Sequence, residues 1–300
     1  MADFFADILP IVIVGISLGS LFGLVGLAFT IIINATQLVN FGQGDFAMFG
    51  VFVAWLMLSK FGLPLWLAIV LAIAAGALIG LFTERTAVTP LMRREVNMFV
   101  PILNTMAVGM MTAGAVGINT GFYWMPIEHF IGLTPWRIGS APINTQGVLI
   151  MAVTVILVIG YWFLLNKTLW GAAFRASGFN REVSALLGIR LSRMVALAFM
   201  LSGAISALAG VLCAPLSPFT ALEGMPLAIN GFISLIVGGW GNPFAAVLGG
   251  ITLGLIRSSI TGYFSSAYAE LATFIVLILV LTTKPEGLFP GFMVSRAEKY

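Results

Sequence analysis

Charged residues are scarce in this chain. Asp, Glu, Lys and Arg make up only 8% of the 300 residues, whereas they are about a quarter of a soluble globular domain. Apolar residues reach 60%, and the mean hydropathy is +1.09. This combination excludes a water-soluble fold and predicts a membrane protein. The formal net charge of +3 is too small, and its bases too dispersed, to indicate nucleic-acid binding.

Cysteine and histidine are rarer still, with one of each. Cys213 has no second cysteine to pair with, which excludes a disulfide framework and a CxxC metal site. His129 has no second histidine to share a metal with, so an intramembrane metalloenzyme is disfavoured. We therefore expect no catalytic residue and no metal site.

Apolar runs follow one another along the whole chain. Their number predicts an all-α, polytopic transmembrane helical bundle of about eight to nine membrane segments, folded as a single domain over residues 1–300. The runs around Phe46, Pro226 and Tyr268 fall short of a full span, so some segments are expected to be broken or re-entrant. The N-terminus carries Asp3 and Asp7 but no base, unlike a cleaved signal peptide, so we expect the first segment to be retained.

The basic residues sort to one side of the membrane. With the N-terminus outside and nine single crossings, 11 of the 14 bases fall inside, as the positive-inside rule expects. Only Lys60, Arg137 and Arg257 fall outside. We therefore predict an external N-terminus, an internal C-terminus, an external loop near 119–147 and an internal loop near 167–193.

The internal loop has amphipathic helical spacing. A short helix starting near Asn180 places Val183, Leu186 and Leu187 on one face, and Gly188 ends it as a C′ glycine. An apolar face on the wet side of a membrane protein fits either a protein partner or the lipid headgroups, and both alternatives stay open here.

Polar residues interrupt the apolar runs between positions 34 and 45. Gly42 and Gly44 permit an unwound turn, and we expect Asp45 to cap the helix that follows. The orientation above puts this turn at the internal helix ends, where it needs no function, whereas at membrane depth an acidic residue would be functional. The candidate substrate path or gate comprises Asn34, Asn40, Gln43 and Asp45.

A second interruption lies near residue 240, where we expect a tight interhelical break without ligand contact. Aquaporin-type half-helix caps need two Asn-Pro pairs, and this chain has one. Arg257 and Glu270 are expected either to pair across a short hairpin or to anchor at lipid headgroups. The residues of the break are Gly238, Gly239, Gly241, Asn242 and Pro243.

Several motifs, in order, resemble the permeases of branched-chain amino acid ABC importers, and in particular their shorter, H-type subunit. Residues 178–199, with ALLGI at their core, resemble the ATPase-contacting loop of that family, and residues 38–50, 84–90, 237–250 and 284–289 resemble four further motifs. Together they cover nearly the whole chain. In two departures, Gln43 replaces the usual His and Asp45 the usual Glu. Since Gln43 cannot take up a proton, a pH-linked role there is not expected.

The resemblance implies a permease subunit in the bacterial inner membrane that moves branched-chain or related amino acids, or similar small polar solutes. It implies a second, M-type permease subunit in a heterodimer, two cytoplasmic ATPase subunits, a periplasmic solute-binding protein and surrounding lipid. On this reading the N-terminus is periplasmic and the C-terminus cytoplasmic. The implied ATPase-coupling residues are Asn180, Arg181, Glu182, Ala185, Leu186, Leu187, Gly188 and Ile189.

The sequence contains no G-x-x-x-x-G-K-[ST] phosphate-binding motif. We therefore expect no cofactor in this chain, with ATP and Mg on the partner subunits. The alternative function is a self-sufficient ion-coupled secondary transporter or channel, because broken helices and a few buried charges suit it as well. Such a carrier would not need the loop at 169–193. The residues do not choose among solutes.

Overall fold

The computed structural model describes residues 2–92, 97, 99–130, 136–138, 141–179 and 181–289. Within these ranges the chain is a succession of α-helices with one short β-hairpin. The helices are α1 (Ala2–Thr36), α2 (Gln43–Ser59), α3 (Leu65–Thr83), a π-helical turn (Glu84–Val88), α4 (Thr89–Met92), α5 (Phe99–Thr120), α6 (Thr145–Lys167), α7 (Leu169–Phe179), α8 (Arg181–Leu186), α9 (Leu191–Cys213), α10 (Gly224–Gly238), α11 (Pro243–Tyr263) and α12 (Ser266–Thr283).

Seven of the described helices are long and apolar enough to cross a membrane. They are α1 from Ile8, α3 with its continuation to Met92, α5, α6, α9, α11 and α12. Two apolar helices are shorter, α2 with 17 residues and α10 with 15. The helical, multi-pass architecture is thus confirmed. The expectation of a short segment at Tyr268 is wrong, because α12 runs for 18 residues once the apolar stretch is extended back to the Ser265 cap.

A short β-hairpin is the element of regular secondary structure that the sequence did not predict. Strands β1 (Trp136–Ile138) and β2 (Ala141–Ile143) pair antiparallel, with Arg137 opposite Pro142. It lies within the stretch predicted as the external loop. Nearer the start of that stretch, the fully buried Met125 donates a backbone hydrogen bond to the carbonyl of Phe219 at 3.0 Å.

The described contacts divide the chain into two compact units. The first comprises Met1–Thr30, His129–Ile156 and Asn230–Tyr300. In it, α1 packs against α11 through glycines, since a Cβ added at Gly19 would lie 2.6 Å from the carbonyl oxygen of Gly250. Such close backbone approach is how small residues let membrane helices associate.

The second unit comprises Ile31–Glu128 and Leu157–Ile229. Its central element is α9, in which 14 of the 23 residues are buried. Gly203 of α9 meets Gly76 of α3, where a Cβ added at Gly76 would lie 2.5 Å from the Gly203 carbonyl oxygen. A buried apolar cluster at one end of this unit contains Ile32, Leu38, Ala87, Val88, Val195 and Phe199.

Candidate functional site

A buried polar turn joins α1 to α2. The chain leaves α1 at Thr36, and Gln37 takes a left-handed conformation with φ of 60° that stops the helix. The Asn40 side-chain oxygen then accepts from the Gly42 N–H at 3.1 Å, which closes the turn immediately before α2 starts at Gln43. The unwound turn predicted from the glycines is therefore present.

The turn is tied to α9 by a network of side-chain amides and hydroxyls. Asn40 Nδ2 donates to Gln43 Oε1 at 3.2 Å. Gln43 Nε2 in turn donates to the carbonyl of Ser202 at 3.2 Å and to Ser206 Oγ. All four residues are buried, so these bonds satisfy groups that water does not reach. Sequence reasoning did not identify Ser202 and Ser206, because two serines one helical turn apart carry no distinctive signal.

Asp45 lies in the first turn of α2 and is only 8% exposed. No side chain caps α2, so the prediction that Asp45 caps this helix is wrong: α2 begins two residues earlier, at Gln43. Its carboxylate fits between two glycines. A Cβ at Gly224 would lie 2.6 Å from Oδ1, and one at Gly109 would collide with Oδ2.

Within the described ranges, no hydrogen bond or ion pair reaches the Asp45 carboxylate from another side chain. A carboxylate removed from water without a partner is costly. The positive ends of α2 and α10, whose first residues surround it, supply partial compensation. Asp45 is thus a buried acidic group without a side-chain partner among the described residues.

The Gln43 end of the turn lies beside the middle of two neighbouring helices. Ser202 stands midway along α9 (Leu191–Cys213), and Gly109 midway along α5 (Phe99–Thr120). At the other end of the turn, Leu38 belongs to the buried cluster that contains Val195, near the start of α9. The turn therefore runs from the end of α1 to the middle of α9, and its placement on the internal side of a membrane stays a prediction.

Asn34, the fourth residue of the predicted gate, lies away from this network near the end of α1. Its backbone carbonyl faces Gly178 of α7, where an added Cβ would lie 2.6 Å from the Asn34 oxygen. The structure thus brings Asn40, Gln43 and Asp45 together and places Asn34 at the contact between α1 and the loop helices.

The loop at 167–193 forms two helices, α7 and α8. In α8, Leu186 is 87% exposed and Leu187, immediately after it, 73% exposed, while Ser184 on the opposite side is buried. Gly188 has φ of +81° and its N–H donates to the Ala185 carbonyl at 3.0 Å, as predicted for a C′ glycine. Ala185 is exposed and Ile189 is half-buried. Asn180 lies outside the described residues, and only the backbone is described for Arg181 and Glu182.

The break near residue 240 is a capped helix start. Asn242 Oδ1 accepts from the N–H groups of Phe244 and Ala245, each at 3.1 Å, and Pro243 occupies the first position of α11. Gly239 and Gly241 have φ of 150° and 77°.

The end of α10 also pairs with a later stretch of the chain. The N–H groups of Leu288 and Phe289 donate to the carbonyls of Val237 and Gly238, each at 2.8 Å. The chain thus breaks between α10 and α11, and the backbone pairing of this break with the 284–289 motif was not foreseen.

Arg257 and Glu270 do not form an ion pair. No described carboxylate lies within 4.0 Å of the guanidinium, and Glu270 acts on it only through space. Arg257 instead donates to Asn230 Oδ1 at 2.8 Å and lies over the ring of Phe22. Both partners are internal helix positions, and no sequence pattern connects them with Arg257.

An open groove of about 570 Å³ lies between α2, α3 and α5. Phe52, Phe82 and Met111 are among its mainly apolar lining residues. Its polar lining residues, Thr86, Asn104, Thr112 and Asn119, each donate to a backbone carbonyl, so we do not assign the solute path to this groove. Among the described side chains, no three His, Cys, Asp or Glu residues lie together as a metal site would require.

Long apolar helices together with two shorter ones are the architecture of a multi-pass membrane protein. The chain belongs to the family described as branched-chain amino acid transport system / permease component, whose profile matches residues 11–281.

Relatives of this family match over most of the chain. A probable branched-chain amino acid transport permease protein LivH from Methanocaldococcus jannaschii is 29% identical over 88% of this chain and 87% of its own length. The high-affinity permease protein LivH of Escherichia coli is 25% identical over 91% and 92%. The LivM permease protein of Escherichia coli is 26% identical over 89% of this chain but 67% of its own longer length. The resemblance to the shorter, H-type subunit is thereby confirmed.

A solved structure shows the same fold. PsaBC from Streptococcus pneumoniae, in complex with Fab, matches with a TM-score of 0.52 over 94% of this chain and 93% of that chain. The sequence identity is 14%, so this likeness concerns the fold alone.

Proposed function

We propose that this chain is the permease subunit of an ATP-binding cassette importer that carries branched-chain or related amino acids across the bacterial inner membrane. The exposed apolar face of α8 carries the proposal. Leu186 and Leu187 are largely exposed beside Gly188, on a loop that a self-sufficient carrier would not need. The family description as a component of a transport system supports the same reading over the secondary-transporter alternative.

The proposed assembly contains a second, M-type permease subunit, two cytoplasmic ATPase subunits that bind ATP and Mg, and a periplasmic solute-binding protein. In it, α8 docks on an ATPase subunit. An exposed leucine face of one to two turns is the kind of surface that fills an apolar groove on a partner. The coupling residues are Asn180 to Glu182 and Ala185 to Ile189.

Docking is tested by replacing Leu186 with Asp in the complex co-expressed with its ATPases. We expect the ATPase subunits to be lost from the purified complex and solute-stimulated ATP hydrolysis to fall about tenfold or more, because a charge enters the apolar contact. Leu169→Asp is the matched control, since Leu169 is 90% exposed but lies on α7. Undiminished ATP hydrolysis with Leu186→Asp would refute the docking assignment.

We also propose that the N-terminus is periplasmic and the C-terminus cytoplasmic, with nine membrane segments including the shorter α2 and α10. The distribution of bases supports this orientation.

Cys213 is the only cysteine, so a Cys213→Ser background permits single-cysteine labelling. A membrane-impermeant maleimide applied to spheroplasts should label Lys60→Cys and not Arg190→Cys. The reverse pattern would invert the topology.

The polar turn is proposed as the gate of the solute path, with Asn40, Gln43 and Asp45 at its centre and Asn34 linking it to the loop. Asp45→Asn removes the charge and keeps the volume. We expect assembled complexes whose solute uptake falls about fivefold or more while stimulated ATP hydrolysis changes less than about twofold. Equal losses of uptake and hydrolysis would place Asp45 outside the gate.

A further inference from the structure

Arg257 places a cation inside an apolar helix. It precedes the end of α11 by six residues, which corresponds to about 9 Å along the helix axis. Its guanidinium reaches sideways, donating from Nη1 to Asn230 Oδ1 at 2.8 Å, with Cζ 5.4 Å from the centre of the Phe22 ring. Phe22 is midway along the span Ile8–Thr36. The cation is therefore held at mid-depth.

Most of the hydrogen-bonding capacity of this guanidinium is unused. Of its five N–H donors, contacts to described residues engage one, and no described carboxylate lies within 4.0 Å. Arg257 is half-buried, so the residue is not fully enclosed by the surrounding chain. The available donors form the planar fork that binds a carboxylate through two parallel hydrogen bonds.

The direction of the side chain indicates what the exposed part faces. An arginine in contact with lipid extends toward the headgroups, where its charge stays hydrated. Here the Asn230 bond and the Phe22 ring hold the guanidinium at the depth where hydrocarbon contact is most costly. Charged residues at this depth face a protein interior or a water-filled cavity. An aqueous solute path satisfies that requirement.

We propose that Arg257 is an oxyanion-binding residue on the solute path, and that its ligand is the carboxylate of the solute during passage. Asn230 and Phe22 are positioning residues that hold the guanidinium plane. This inference rests on the proposed function, because an amino acid supplies the carboxylate. The contact is transient, since a single weak site at mid-depth lets the solute leave toward the other side.

Uptake kinetics in proteoliposomes containing the full complex test the assignment. We expect Arg257→Gln to lower Vmax for leucine about tenfold with KM unchanged, because the separate binding protein sets KM whereas the permease sets the rate of passage. Arg257→Lys keeps the charge and should recover part of the rate. Lys60→Gln, which removes an exposed base in the turn after α2, is the control and should transport normally. A normal Vmax for an assembled Arg257→Gln complex would overturn the proposal.

A second measurement needs no loss-of-charge variant and covers the case in which Arg257→Gln does not assemble. Thermal unfolding of the complex without binding protein is followed with millimolar 4-methylpentanoate or with 4-methylpentanamide, which lacks the carboxylate. We expect the acid to raise the melting temperature by about 2 °C and the amide to have no effect. Phe22→Leu, which removes the ring but keeps apolar volume, should weaken the effect of the acid. Equal shifts with acid and amide would overturn the proposal.

Lipid phosphate is the competing oxyanion. Native mass spectrometry of complexes extracted from phosphatidylglycerol-containing membranes separates the two sources. Retention of this lipid by the wild type and its loss in Arg257→Gln, with Vmax unchanged, would assign Arg257 to a headgroup. If the wild-type complex takes up no amino acid, the proposed function fails, whereas the acid-specific thermal shift still tests oxyanion binding by Arg257.

Discussion

The Gln43 side chain on α2 donates a hydrogen bond to the backbone carbonyl of Ser202 on α9, 3.2 Å away. The same nitrogen also donates to Ser206 Oγ, one helical turn further along. These contacts join the first turn of α2 to the middle of α9 within a buried network. The network therefore holds the helices together, whatever part it takes in solute passage.

Replacing Gln43 with Leu should destabilise the protein by about 1–3 kcal/mol, because the Asn40 amide then loses its buried acceptor. Thermal unfolding of the detergent-purified complex measures the change. Ser206→Ala removes one hydroxyl from the network and should cost less, about 1 kcal/mol. Unchanged unfolding of Gln43→Leu would mean that the network adds nothing to stability.

Gly109 provides the room that the Asp45 carboxylate occupies, so Gly109→Ala should destabilise the protein by about 1–3 kcal/mol through overpacking. Gly114→Ala on the same helix is the control, because an added Cβ there meets nothing within 4 Å. Combining Gly109→Ala with Asp45→Ala should recover much of the loss. If the changes in unfolding free energy of the two single variants simply add in the double variant, the alanine methyl at position 109 does not collide with the Asp45 carboxylate.

Because Gly178 has no side chain, α7 can pack closely against the Asn34 carbonyl near the end of α1. The polar turn follows directly after this end of α1. Gly178→Ala adds a methyl where only 2.6 Å is available, so we expect transport per ATP hydrolysed to fall about threefold as this contact shifts. Gly160→Ala on α6, where an added Cβ meets nothing within 4 Å, is the control. Uptake and hydrolysis are measured in the same proteoliposomes, and an unchanged ratio would count against coupling through this contact.

Asn242 caps α11 through two backbone N–H groups, so Asn242→Ala should cost about 0.5–2 kcal/mol of stability. Asn166→Ala is the comparison, because the exposed Asn166 only returns a hydrogen bond to the Trp162 carbonyl within its own helix. Thermal unfolding of both variants gives the difference directly. Equal melting temperatures would argue that the break near residue 240 is held by its backbone pairing alone.

Local features of the chain were predictable from the sequence. Apolar runs predicted the helices, Gly188 the end of α8, and the Gly and Asn-Pro pattern the break before α11. These signals work because each depends on a few adjacent residues.

Long-range contacts were not predictable in the same way. Gln43 meets Ser206 across 163 positions, and nothing near Gln43 indicates that partner. The position of the polar turn beside the middle of α9 depends on such contacts, so local sequence patterns did not predict it. Arg257 shows the same limit, because Glu270 is the nearest opposite charge along the chain whereas the packed structure offers Asn230 and Phe22.

The pairing of residues 288 and 289 with the end of α10 is made entirely by main-chain atoms. Its survival under mutation therefore depends on the peptide N–H rather than on which side chain is present. Many substitutions at Leu288 and Phe289 leave the hydrogen bonds in place, whereas proline at either position removes one of the two and a chain ending before residue 288 removes both. The fold can therefore require this stretch of main chain even though many different side chains are acceptable in it.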